Sequence, residues 1–454
     1  MNYAIRLIRV QLTVCLIIVL SACGSSGSSG SSSKAASYLF SANNGIDGNE
    51  LWKSDGTEVG TVMIKDINEI GSSDPADFVV INGSHYFSAD NGIDGDELWK
   101  SDGTEVGTVM LKDINESGSS FPRGFAVFNG NLYFIANNGI DGDELWKSDG
   151  TEAGTVMIKD INESGSSYPT QFIVFNGSLY FNADNGVDGY ELWKSDGTEA
   201  GTVMLKDIDE AGSGHPGGFI VFNGSLYFSA NNGVDGFELW KSDGTEAGTM
   251  LLKDINESGS GRPSGYIVFN GNLYFSANNG VDGYELWKSD GTGVGTVMLK
   301  DINESGASFP QIFVVFDGSL YFRANNGVDG AELWKSDGTG GGTVMLKDIN
   351  ESGNGSPVEI IVFNGSLYLI ADNGVDGFEL WKSDGTEAGT VILKDINESD
   401  SSFPNGFVVI KGILYFSADN GVDGYELWKS DGTEAGTVMI KDINESGNGL
   451  QGGV

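Results

Sequence analysis

The sequence predicts an all-β fold, a β-propeller of four-stranded antiparallel blades, and three observations predict it. The octapeptide Glu-Leu-Trp-Lys-Ser-Asp-Gly-Thr occurs nine times, from Glu50 to its last copy at Glu426, always 47 residues apart and with no insertion or deletion. A fixed period of this length marks a repeat architecture. Each unit holds four short apolar or β-branched runs joined by three tight links and one longer one, which is the plan of a propeller blade. Glycine is abundant (69 residues) and proline scarce (8), a balance that suits many strands joined by turns. A linear β-solenoid is the alternative arrangement for such a repeat.

The unit around Trp193 justifies each element. Strand a is Phe172 to Phe175, apolar on both faces and so suited to an inner strand. Asn176-Gly177 follows, and two β-rich runs split by Asn-Gly are a strong hairpin signal, because both central residues of a type I′ turn need positive φ. Six hairpins carry Asn-Gly; Asp317-Gly318 and Lys411-Gly412 are the variants. Strand b runs over Ser178 to Ala183, and a glycine-rich loop from Asp184 to Gly189 leads to strand c over Glu191 to Ser195. Period-two alternation puts Glu191, Trp193 and Ser195 on one face, so each tryptophan is expected to pack between blades. Asp196-Gly197-Thr198 turns the chain into strand d, Thr202 to Ile208, and the longest link contains Pro216. There are nine copies of b, c and d but eight of a, since the series starts at strand b with Tyr38. Eight blades preceded by a three-stranded piece are favoured on the usual size range, with a nine-bladed ring as the other solution.

Three domains follow: a leader (1–22), a tether (23–37) and the repeat domain (38–454). The leader has Arg6, Arg9, an apolar run from Val14 to Leu20 and then Leu20-Ser21-Ala22-Cys23. This resembles a bacterial lipoprotein signal with its lipobox, and it is too short to span a bilayer. The resemblance implies cleavage before Cys23, acylation of Cys23 and anchoring to a membrane, with Cys15 lost in the leader. Gly24 in place of an aspartate after the cysteine favours the outer membrane or cell surface of a bacterial envelope. Gly24 to Ser33 is a flexible spacer spanning roughly 16 to 19 Å.

The repeat itself resembles the bacterial ELWxxDGT repeat family, found in secreted and surface proteins, over about Tyr38 to Ile443. That resemblance agrees with an exported location and carries over no catalytic residues, because the family is defined by its repeat and not by a chemistry.

Formal charge is −39 for the whole chain, and loss of Arg6 and Arg9 with the leader leaves 23 basic and 64 acidic residues. A nucleic-acid partner is excluded on this ground, since a polyanion is repelled over most of the surface. The acids recur in every unit, and the b to c loops offer oxygen ligands in a spacing that suggests calcium. The expected ligands are Asp47 and Glu50, Asp94 and Glu97, Asp141 and Glu144, Asp188 and Glu191, Asp235 and Glu238, Asp282 and Glu285, Asp329 and Glu332, Asp376 and Glu379, and Asp423 and Glu426. The competing role for these Asn, Asp and Gly residues is to shape turns.

Differences between the repeats point to a second site. They cluster at the residue before each proline, which includes Phe121, Tyr168, His215, Arg262, Phe309 and Phe403, and at the residue before each Glu-Leu-Trp, which includes Tyr190, Phe237, Tyr284, Phe378 and Tyr425. Up-and-down topology puts both sets on one mouth of the propeller, where exposed aromatic residues suit recognition of a glycan or a protein. The expected function is a lipid-anchored binding or adhesion module and not an enzyme. A polysaccharide hydrolase or lyase using two carboxylates, or a purely structural envelope protein, are the alternatives.

Overall fold

A computed structural model describes residues 38–450. Cys23, the leader and the spacer lie outside the described residues. Thirty-five strands form nine antiparallel sheets, eight of four strands and one of three, and no strand pairs with a strand of another sheet. Blade 1 is the three-stranded sheet, made of β1 (Tyr38–Asn43), β2 (Asn49–Ser54) and β3 (Val62–Lys65). Blade 2 is β4 (Ala76–Ile81), β5 (Ser84–Asp90), β6 (Asp96–Ser101) and β7 (Val109–Lys112), in the order a, b, c, d, and blades 3 to 9 repeat that order at 47-residue intervals.

The sheets are held face to face by nine apolar clusters, each built across a blade boundary. Between blades 1 and 2, Leu39, Leu51, Ile64 and Ile67 pack on Phe87, Ala89 and Trp99. Between blades 9 and 1, Tyr415, Leu427, Ile440 and Ile443 pack on Phe40, Ala42 and Trp52 in the same way. That last cluster closes the ring, so the chain is a nine-bladed propeller; of the two arrangements the strand count left open, the three-stranded piece is a blade of the ring. The solenoid is ruled out by the same contact. All nine tryptophans are buried in these clusters, as the alternation in strand c requires.

Polar clamps reinforce every boundary. Lys53 Nζ donates to the Gly103 carbonyl at 2.9 Å and Lys65 Nζ to the Thr108 carbonyl at 3.0 Å. At the seam, Lys429 and Lys441 donate to the carbonyls of Gly56 and Thr61 at 2.7 and 3.0 Å.

The eight a to b hairpins have positive φ at both central residues, for example 46° at Asn176 and 73° at Gly177. Strand a departs from the simple expectation in two ways. It carries a bulge in all eight blades that have it, between Thr170 and Ile173 in blade 4. One of its residues, Val127 in blade 3 and its counterparts Val174, Val221 and Val268, is about two-fifths exposed on the inner strand rather than packed between blades.

Candidate binding face

Every residue of the repeated octapeptide has a structural duty. In blade 4 the Glu191 carboxylate accepts from the Ile208 and Gly214 backbone N–H groups at 2.7 and 2.6 Å. In blade 2 the same position, Glu97, also accepts from the Ser120 hydroxyl at 2.6 Å. Each of these glutamates pins the start and end of the d to a link and is fully buried. The leucine and tryptophan enter the cluster, and the lysine clamps the next blade. Ser195 bonds Thr202 and the Gly197 N–H, while Asp196 Oδ1 accepts from the Thr198 N–H and hydroxyl. Gly197 has φ +92°, and a Cβ there would run into the Tyr133 hydroxyl of blade 3.

This accounts for the glutamates proposed as calcium ligands: in all nine blades their oxygens already accept from backbone N–H groups of the link. Desolvation raises the pKa of all nine, to about 7 for Glu97, Glu144, Glu191, Glu238, Glu332, Glu379 and Glu426. The loop aspartates lie elsewhere. Asp188 Oδ2 accepts from the Asn185 amide at 2.8 Å, and Asn185 Oδ1 caps the Val187 and Asp188 N–H groups. Asp188 acts electrostatically on Asp207 and not on Glu191; burial first, then Asp188 and Glu210, raise the Asp207 pKa. One oxygen of Asp207 and of its eight counterparts is buried without a hydrogen bond.

The two variable sets meet on one face, pair by pair. The residue before each Glu-Leu-Trp offers its carbonyl to the N–H of the residue 25 positions later, as in His215 to Tyr190 at 2.9 Å and Phe309 to Tyr284 at 3.1 Å. Side chains follow the backbone. Tyr190 stacks on His215 (centroids 4.9 Å), Tyr284 on Phe309 (5.4 Å) and Phe378 on Phe403 (5.4 Å), while Arg262 lies over Phe237 at 6.0 Å. Tyr425 pairs through its backbone with Leu450, Asp96 with Phe121 and Asp143 with Tyr168. Asp143 also takes an ion pair from Arg123 at 3.0 Å, and Asn49 bonds Asp74 at 2.7 Å. The rim pair is therefore polar in blade 1, an acid beside an aromatic residue in blades 2 and 3, and mostly aromatic from blade 4 onward. All eight residues before the prolines hold φ between 42° and 50°. For non-glycine residues such a conformation costs about 1 to 3 kcal/mol each, and the backbone bonds just described hold it.

No family profile matches the chain, and no curated protein is detectably similar to it. Among solved structures it is similar to the computationally designed Ika8 protein (13% identity, 77% of this chain and 94% of that one, TM-score 0.44). It is also similar to puromycin hydrolase (13% identity, 76% of this chain, 58% of that one, TM-score 0.39) and to a chain from a study of two prolyl endopeptidases (11% identity, 76% and 54%, TM-score 0.43). The chain spans little more than half the length of those two enzymes.

A further feature of this face is uniform rather than variable. The tip of each b to c loop is Ile46, Ile93, Ile140 or a valine such as Val187, and each is 85–87% exposed. These nine aliphatic side chains, one in each b to c loop, are almost fully exposed. Asking only where the repeats differ missed them; the usable signal was an apolar residue kept in a polar loop where no strand could bury it.

Proposed function

We propose that this chain is a lipid-anchored extracytoplasmic binding module whose mouth recognises a glycan or protein of the cell envelope. One observation carries the reading: the octapeptide body is the same in all blades, whereas the rim differs from blade to blade and holds its side chains on strained backbone. A purely structural ring has no use for stacked, half-exposed aromatic pairs set among acids. The loop-tip aliphatics add exposed apolar area on the same face. The resemblance to the ELWxxDGT repeat family agrees with a surface location.

The test is binding of the protein to isolated envelope polysaccharides and envelope proteins, with reducing-end release followed in parallel. A rim variant carrying Tyr190→Ser, Phe309→Ser and Phe403→Ser is expected to lose the partner while keeping its melting temperature within a few degrees. Binding that survives these changes removes the reading, and turnover of a polysaccharide by the wild type favours the hydrolase or lyase instead. The anchor is tested separately: radiolabelled fatty acid is expected to enter the wild type and not Cys23→Ser.

A further inference from the structure

Blade 7 breaks the symmetry of the rim. Its pair is Ala331 and Ser356, the one position among the described residues where both members are small and uncharged. A methyl group stands where Tyr190, Phe237, Tyr284, Phe378 and Tyr425 place rings, and a cavity of about 190 Å³ lies there, lined by Phe309, Gln311, Arg323, Asn325, Ala331 and Asn354 among others.

Arg323 is the second break. It sits on strand b of blade 7 (Ser319–Asn325), opposite Gln311 on strand a. The same position is Ser41, Ser88, Ser229, Ser276 and Ser417 in five other blades. Among the described residues no carboxylate or carbonyl takes a hydrogen bond or ion pair from its guanidinium. The charge that acts on it is the buried Glu332 carboxylate, whose oxygens accept from the Ile349 and Gly355 N–H groups. Burial depresses the Arg323 pKa, while Glu332 opposes that shift. A half-buried guanidinium without a direct partner is costly unless something supplies the missing acceptor.

The rest of the wall is rich in donors. Asn325 Oδ1 is taken by the Gly327 N–H at 2.7 Å and Asn354 Oδ1 by the Ala331 N–H at 2.9 Å, so each amide has only its NH2 left to offer. Asn354 replaces a serine found at that position in six other blades. Phe309, 54% exposed, adds an apolar face on one side. Elsewhere the surface is strongly acidic, so an anion is held only where donors converge like this.

We infer that the blade 7 cavity is a subsite for an acidic sugar, with Arg323 forked onto its carboxylate or sulfate, Asn325 and Asn354 donating to its oxygens and Phe309 against its ring face. This rests on the rim being the binding face and names the ligand chemistry of one sector of it. A guanidinium matches a planar carboxylate with two parallel hydrogen bonds, and the neutral amides suit ring hydroxyls.

The experiment is calorimetric titration of the full chain with oligogalacturonate, dextran sulfate, neutral dextran and a poly-glutamate peptide. Arg323→Ser restores the residue of five sister blades and is expected to fold normally. Ala331→Tyr refills the cavity with the ring found in three others. Saturable binding of oligogalacturonate or dextran sulfate is expected, with neutral dextran weaker and each substitution lowering affinity about tenfold or more. Which anion binds identifies the group. Anionic sugar binding that is unchanged in both variants, or tighter binding of the peptide than of either sugar, overturns the inference. If acidic-sugar binding is lost in the rim variant but unaffected by Arg323→Ser, the blade 7 site falls and the rim reading stands; if the wild type binds none of the four probes, the inference falls and the rim reading is decided by its own binding test.

Discussion

A carboxylate with no exposed surface, held by backbone donors at both ends of a loop, ties three strands together from a single side chain. Replacing Glu191 with Gln sets an NH2 against one of the N–H donors of Ile208 and Gly214, and the lost bond with its stranded donor is expected to cost about 1 to 3 kcal/mol in urea unfolding. The same residues govern pH dependence. Their folded pKa values stand above the ordinary 4.5, at about 7 for seven of them, so between those limits the folded chain holds more protons than the unfolded one. Stability therefore falls as pH rises from 4.5 to 7 and levels off above. Asp207 and its counterparts, also raised, act in the same direction. The turn aspartates such as Asp196 are lowered, so their contribution is constant across this range and is lost only as pH falls below the ordinary carboxylate range. The urea midpoint is expected to be higher at pH 5 than at pH 8, and a flat or rising profile contradicts this account. At this scale the sequence showed which residues recur but not why. Asp196 is legible as a turn residue from local chemistry alone, whereas Glu191 looked like a loop ligand because its true partners lie 17 and 23 residues away. Arg323 is legible as a break in a strand position that is serine in five other blades, but its burial and its neighbours are not.

Local rules set the elements well. Asn-Gly between two β-rich runs gives the hairpin in six blades, and the one lysine variant offers a direct check. Lys411 sits at φ 51° where six hairpins have asparagine. Lys411→Asn is expected to stabilise blade 9 by roughly 0.5 to 1 kcal/mol, since asparagine tolerates the left-handed region better. Gly197→Ala is expected to do the reverse, with a lower melting temperature, because it meets both a positive φ and the Tyr133 hydroxyl of the neighbouring blade. The bulge in strand a escaped prediction for a stated reason. Its left-handed residue is glycine in blades 3, 5, 6 and 9 but Asp77, Gln171, Ile312 and Glu359 in the others, so no single residue type marks it. Gln171 and Glu359 repay the strain by accepting from the Gly218 N–H at 2.7 Å and the Phe407 N–H at 3.2 Å in the following blade. Such cross-blade bonds cannot be seen within one unit.

For the whole molecule, strand counting left eight and nine blades open because ring closure depends on a contact between the two ends of the repeat series. The seam between blades 9 and 1 has the same kind of cluster and lysine clamps as the other boundaries, yet among the described residues the link that reaches blade 1 at Gly449 and Leu450 is not followed by a strand a. Trp52→Ala is expected to lower amide-exchange protection in β1 to β3 first, whereas Trp193→Ala, at a chain-linked boundary, destabilises without that local opening. Equal protection losses in the two variants would mean that the link contributes nothing.

A seam held by the same kind of cluster and lysine clamps as the other boundaries also cannot tell its own blade 1 from another molecule's. During refolding, closure within one chain competes with joining to the next, a ring–chain equilibrium like that of a polymer with reactive ends. Dilution favours the monomeric ring and high concentration favours head-to-tail chains. Light scattering of samples refolded over a range of concentrations should therefore show the monomer fraction falling as concentration rises, with the long species dissolving again once they are unfolded and refolded dilute.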